Sequence, residues 1–164
     1  MKPLLRVVNL SKSFGTLPVV QQVSFDVFPG EVVGLTGSIG SGKSVLSLLI
    51  AGLHQPDDGS ILFKERNLLW PFSCNQYGIS VIHQKPSLDD NLDVVSNIFL
   101  GNEIGWPHWS GPFKILDHEK MFKKSGAILT QLGLDSGILG ERVANLSGEQ
   151  RQLIAISRSL TRNP

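Results

Sequence analysis

Residues 37–44 read Gly-Ser-Ile-Gly-Ser-Gly-Lys-Ser, and no other stretch of the chain restricts its fold so tightly. Glycines at 37, 40 and 42 let consecutive backbone amides turn inward without side-chain obstruction. Before the loop, a turn at Pro29-Gly30-Glu31 leads into Val-Val-Gly-Leu-Thr, residues 32–36, an apolar run that reads as a buried strand. After it, residues 42–53 carry a helical pattern closed by Gly52 and Pro56. Strand, glycine loop and helix in this order make a phosphate cradle. The amides of Gly37, Ser38, Ile39, Gly40, Ser41 and Gly42 surround phosphate oxygens, and the helix N-terminus adds favourable potential. Lys43 reaches the β- and γ-phosphates, and the Ser44 hydroxyl ligates Mg²⁺. The implied ligand is a nucleoside triphosphate with Mg²⁺.

The rest of the chain surrounds this unit with other signals. Residues 4–10 and 23–28 read as strands, the second alternating as Val-Ser-Phe-Asp-Val-Phe. Asp57-Asp58-Gly59 turns into a strand at 60–63, and a further strand is expected at 78–83. Residues 94–100 and 117–132 read as helices, with Asp117 as a cap, separated by a Gly/Pro/Trp-rich loop over 101–112. The 164 residues are 41% hydrophobic and 18% charged, which suits one soluble domain with a real core. A net charge of +1 gives no field directed at nucleic acid. Four scattered histidines lack metal-ligand spacing, and the lone Cys74 excludes an internal disulfide. No run is long enough to span a bilayer and the N-terminus lacks a leader pattern, so a cytoplasmic location is expected.

A second turn, Leu146-Ser147-Gly148-Glu149-Gln150, opens the last helix. Ser147 and Gln150 have the spacing of a capping box. Leu153, Ile156, Ser157 and Leu160 follow at helical intervals, with Ile154 widening the apolar stripe and Pro164 as a stop. Arg151, Arg158 and Arg162 fall on another face and read as a solvated basic stripe.

The segments Lys-Ser-Phe-Gly at 12–15, the loop at 37–44, Val-Ile-His-Gln-Lys-Pro-Ser-Leu at 81–88 and the 146–150 turn occur in the order seen in ABC-transporter ATPase subunits. The resemblance covers essentially the whole chain. It implies an α/β fold: a P-loop NTPase core (31–86), an N-terminal antiparallel β-subdomain (1–30) and a helical subdomain carrying the signature motif (87–164). By the same resemblance, Phe14 stacks on adenine and Gln84 contacts Mg²⁺ and the attacking water. Residues Leu146, Ser147, Gly148, Glu149 and Gln150 close over ATP held by a second ATPase domain, with Glu149 standing where the usual signature has glycine. The segments at 55–61, 78–84, 92–105 and 115–129 are most similar to the sugar-importer branch. That implies a membrane permease partner, docked through residues 85–109 including Trp106, Pro107, His108 and Trp109, and a position at the inner face of the membrane. A soluble relative acting on nucleic acid or the ribosome is the alternative, although no basic insertion favours it.

The family also carries, after the signature helix, a Walker B strand ending in Asp-Glu and then a switch histidine. Neither occurs within residues 1–164. Lys114 to Glu119 offers an apolar pair before acidic groups, but it precedes the signature. The chain is therefore expected to be a C-terminally truncated domain with no catalytic residue of its own, binding ATP without hydrolysing it.

Overall fold

The computed structural model describes residues 1–106 and 115–162, so Pro107, His108, Trp109, Lys114 and the Asn163-Pro164 stop lie outside the described residues. Two compact units form, Met1–Ile79 and Ser80–Pro164.

In the first unit, β1 (Leu5–Phe14) and β2 (Leu17–Val27) form a long antiparallel hairpin around Gly15-Thr16. Both strands run longer than their apolar alternation. Asn9 and Gln22, at φ +47° and +48°, sit where the ladder shifts register, so the strands bend and continue as bulged ribbons. β3 (Asp58–Phe63) adds to β1, and β4 (Arg66–Asn67) closes the sheet in the order β2-β1-β3-β4. The β3–β4 turn places Lys64 and Glu65 both at positive φ, a primed hairpin turn built without the usual Asn or Gly. α1 (Lys43–Ile50) lays Leu46 and Leu49 against Val7, Leu10, Val20 and Ile61. That shared apolar layer holds the helix to the sheet.

Two expected strands are corrected. Residues 32–36 form no ladder, and Val32, Val33 and Leu35 are exposed rather than buried. Residues 78–83 likewise lack strand pairing. Each run has strand composition, but among the described residues neither has a neighbouring strand to receive its amides and carbonyls.

The second unit is helical, with α2 (Val94–Phe99), α3 (His118–Gln131) and α4 (Gly148–Leu160). Its core joins Val94, Ile98 and Phe99 to Met121, Leu129, Leu139, Val143, Leu146 and Ile154. Asp117 caps α3 as expected and Asp93 caps α2, each carboxylate accepting a first-turn amide. A short hairpin, β5 (Gly105–Trp106) with β6 (Ile115–Leu116), replaces part of the expected loop, and Trp106 is exposed. On α4 the buried positions are Ile154 and Ser157, while Leu160 is exposed.

Candidate nucleotide site

α1 begins directly after the glycine loop, and its N-cap is Gly42, which has no side chain to bond to the first turn. The leading amides of the helix therefore stay open to an anion. Gly42 holds φ +88°, and a Cβ there would lie 2.5 Å from the Val19 carbonyl oxygen of β2. The loop thus presses against the hairpin at a point only glycine fits. Gly37 is constrained by its own loop, because a Cβ would lie 2.7 Å from Ser41 Oγ. Gly40 shares a positive φ, +81°, but faces open space, and Ile39 is fully exposed.

Lys43 points back into the loop. Its ammonium donates to Gly37 O at 2.8 Å and Ser38 O at 2.6 Å, and lies 3.3 Å from Ser41 Oγ. These acceptors are neutral, so phosphate oxygens arriving at the same place would put an anionic acceptor against the ammonium in place of a neutral one. Ser44 is exposed, and its hydroxyl has no hydrogen-bond partner among the described residues. The loop is flanked by a hollow of about 390 Å³ lined by Val19, Gln21, Thr36, Ser38 and Lys43 among others, with no carboxylate. Open amides, one ammonium and one free hydroxyl fit a triphosphate with Mg²⁺.

Phe14 sits at the end of β1 and is half-exposed, which removes it from the core. Its ring meets the His54 ring edge-on at 5.7 Å, and Lys12 Nζ lies 5.7 Å from its centroid. Asp57 steadies this corner by accepting from Lys12 Nζ at 2.7 Å and Ser13 N at 2.6 Å. Those bonds, the Lys12 one foremost, hold the Asp57 carboxyl below the usual aspartate range.

Gln84 and the 146–150 turn belong to the other unit. Gln84 is exposed. The capping box forms as expected: Ser147 Oγ accepts from Gln150 N at 3.2 Å, and Gln150 Oε1 accepts from Ser147 N at 2.9 Å. Leu146 is buried in the core, which turns Ser147, Gly148 and Glu149 outward.

The arginines correct the sequence reading. Arg158 is no solvated side chain: it donates to Asn97 O and Ser87 O at 2.7 Å each and to Asn97 Oδ1 at 3.1 Å. Arg151 donates to Val143 O at 3.2 Å and pairs with Asp90. Sequence reasoning also missed Asn97, fully buried, which donates to Asp89 O at 2.9 Å and Asp93 O at 3.1 Å and accepts from Asp89 N at 2.9 Å. A buried amide needs such partners. The three side chains tie the signature helix to residues 87–93, just beyond Gln84. The available signal was an amide side chain, beside Ser96, inside the apolar pattern of residues 94–99.

Comparison with known proteins agrees with this geometry. A family model described as ABC transporter matches residues 20–164. A ribose import ATP-binding protein of Caldanaerobacter subterraneus subsp. tengcongensis is 35% identical over 99% of this chain and 32% of that protein. A xylose/arabinose import ATP-binding protein of Sulfolobus acidocaldarius is 35% identical over 98% of this chain and 62% of its own length. A fructose import ATP-binding protein of Rhizobium meliloti is 34% identical over 96% and 62% respectively. The chain therefore spans between 32% and 62% of these relatives. Among solved structures, an ATP-binding cassette of an ABC transporter in its ADP conformation has a TM-score of 0.83 at 29% identity, over 100% of this chain and 66% of that one. A nucleotide-free cassette gives 0.82 at 29% identity, over 99% and 66%. On the match across residues 20–164, the chain belongs to the ABC transporter family, and its fold is that of the family's ATPase.

Proposed function

We propose that residues 1–164 form the nucleotide-binding part of an ABC importer for a sugar, and that they hold Mg-ATP without turning it over. The observation that carries the binding is the loop itself: Lys43 at the mouth of an open helix N-terminus, with Gly42 locked against Val19 O. Phe14, half-exposed at the end of β1, offers a ring face for adenine. The sugar assignment rests on relatives whose names specify ribose, xylose/arabinose and fructose import. A membrane permease is the coupling partner, with residues 85–109 as the docking surface and exposed Trp106 as one anchor. A second ATPase domain contributes the ligand for the outward Ser147–Gly148 turn. These assignments put the chain at the cytoplasmic face of the membrane, consistent with the lack of any membrane-crossing helix among the described residues.

Low turnover follows from where the carboxylates are. In the Met1–Ile79 unit, Asp26 pairs with Arg6, Asp57 with Lys12, and Glu65 with Lys2, while Glu31 accepts from Phe28 N and Asp58 from Gly59 N. None of them lines the hollow beside the loop. General-base assistance is worth about 10²–10⁴ in rate, and nothing there supplies it. In Mg²⁺, a fluorescent ATP analogue should bind the chain saturably. Lys43→Ala should weaken it at least about tenfold, the cost of one charge-assisted bond of roughly 1.5–3 kcal/mol. Phosphate release should match that of the Lys43→Ala control. Equal affinity for both chains would sink the binding assignment, and turnover abolished by Lys43→Ala would sink the account of the missing base.

A further inference from the structure

Phe14 ends β1 beside the Gly15-Thr16 turn and is half-exposed. A half-exposed ring can turn between rotamers, and each rotamer that faces away from a base lowers the affinity that stacking can supply. Two side chains meet this ring. Lys12 Nζ lies 5.7 Å from its centroid but is committed to Asp57 Oδ1 at 2.7 Å. The His54 ring meets it edge-on, with centroids 5.7 Å apart and planes at 78°, an arrangement that aromatic quadrupoles favour. The His54 nitrogens make no hydrogen bond among the described residues, so the interaction of that ring is the one with Phe14. Backbone bonds fix where His54 stands. α1 ends in a Schellman turn, in which Gly52 N donates to Leu49 O at 3.0 Å and Leu53 N to Leu48 O at 2.9 Å. Gly52 holds φ +71°, and a Cβ there would lie 2.6 Å from Phe72 O, so the turn is wedged against that backbone. Three residues beyond His54, Asp57 N donates to Ser11 O at 2.9 Å and the Asp57 carboxylate accepts from Ser13 N at 2.6 Å. His54 thus sits on a short segment pinned at one end to its own helix and at the other to the strand that carries Phe14. All of these contacts are made within residues 11–72, every one of them described.

We propose that His54 is a positioning residue for nucleotide binding, its ring holding the Phe14 ring in the orientation on which adenine stacks. This role presupposes Phe14 as the adenine platform, as proposed from its half-exposed ring. The contribution goes to the base and not to the phosphates, because His54 lines neither hollow beside the 37–44 loop. It also depends on an aromatic edge at residue 54, which another aromatic ring supplies and a methyl group does not.

Calorimetry in Mg²⁺ with ATP and with inorganic tripolyphosphate, which carries the charge without the base, separates the two contributions. His54→Ala should bind ATP about threefold to tenfold more weakly and tripolyphosphate as tightly as before. His54→Phe should bind ATP within about twofold of the parent chain. In a Phe14→Ala background, His54→Ala should change ATP affinity by less than about twofold, since the ring it positions is gone. The role of His54 is overturned if His54→Ala weakens ATP and tripolyphosphate alike, or weakens ATP just as much without Phe14. It is also overturned if His54→Phe binds ATP no better than His54→Ala. Unchanged ATP affinity in His54→Ala, with Phe14→Ala weakened, would remove the role of His54 and leave the platform standing. ATP affinity unaffected by Phe14→Ala would remove the platform itself, and the role of His54 with it. If His54→Ala fails to fold, His54→Leu, which fills the space without an aromatic ring, replaces it in each comparison.

Discussion

Gly40 and Gly42 share a left-handed conformation, with φ +81° and +88°, and differ in what surrounds them. A methyl group at residue 40 meets nothing within 4 Å, whereas one at residue 42 lies 2.5 Å from Val19 O and 3.4 Å from Val19 Cγ1. Alanine at either position carries the left-handed backbone cost of about 1–2 kcal/mol. At 42 an overpacking cost of roughly 1–3 kcal/mol is added, because the obstruction is the backbone of β2 rather than a mobile side chain. Gly40→Ala should therefore lose about 1–2 kcal/mol, and Gly42→Ala roughly 2–5 kcal/mol. The only relief at 42 is to move the N-cap, which displaces the amides of Lys43 and Ser44. The difference should thus appear in nucleotide binding, with Gly42→Ala about tenfold to hundredfold weaker than Gly40→Ala. Titration of a fluorescent ATP analogue in Mg²⁺ measures this, with circular dichroism confirming that both variants are folded. Folded variants of equal affinity would refute the idea that the Val19 contact shapes the loop.

Other perturbations probe the rest of the molecule. Ser147→Ala removes the capping box at the signature turn and should cost about 1 kcal/mol in urea unfolding, while Ser147→Thr should restore most of it. Arg158→Lys keeps the charge but not the fork that reaches Asn97 O, Ser87 O and Asn97 Oδ1, so unfolding stability should drop by about 2–4 kcal/mol. The Asp57 carboxyl is held low by Lys12 and Ser13 N, so its contribution is present above the unfolded value, about pH 3.9, and is lost as pH falls through the lower folded value. A thermal midpoint followed from pH 6 downward should fall less steeply in Asp57→Asn. A slope remains from Asp26, held low in the same way by Arg6.

What the sequence made legible is what a few consecutive residues decide. The glycine loop, the Asp117 and Ser147 caps and the four α-helices follow from side chains that bond or pack within a turn or two of their own position. Tight turns are legible only when composition announces them. The Lys64-Glu65 turn was not, because neither residue favours positive φ and the pairing of Phe63 with Arg66 imposes it. The arginines show the same limit. Charge at helical spacing looks the same whether it meets water or a carbonyl 61 residues away, and Arg158 meets Asn97.

The two corrected strands show why. A helix satisfies its hydrogen bonds within itself, so a periodic sequence nearly suffices to specify one. A strand is a statement about two segments, since every second amide and carbonyl needs a neighbour. Residues 4–10 and 23–28 had each other, and the strand at 60–63 had residues 5–8. Residues 32–36 and 78–83 have the same apolar character without such a partner among the described residues, and they stay unpaired. Val32 is 96% exposed although its composition asks for burial. The loop at 37–44 keeps its shape regardless, because it is braced from the other side: Leu46 and Leu49 anchor α1 on the β1–β3 sheet, and Gly42 abuts Val19. The proposed nucleotide site therefore depends on the antiparallel hairpin as well as on the apolar run leading into it. Substitution at Val19 or Leu46 should consequently disturb ATP binding more than a polar replacement at exposed Val32, and the reverse order would mean that the 32–36 run, not the hairpin, positions the loop.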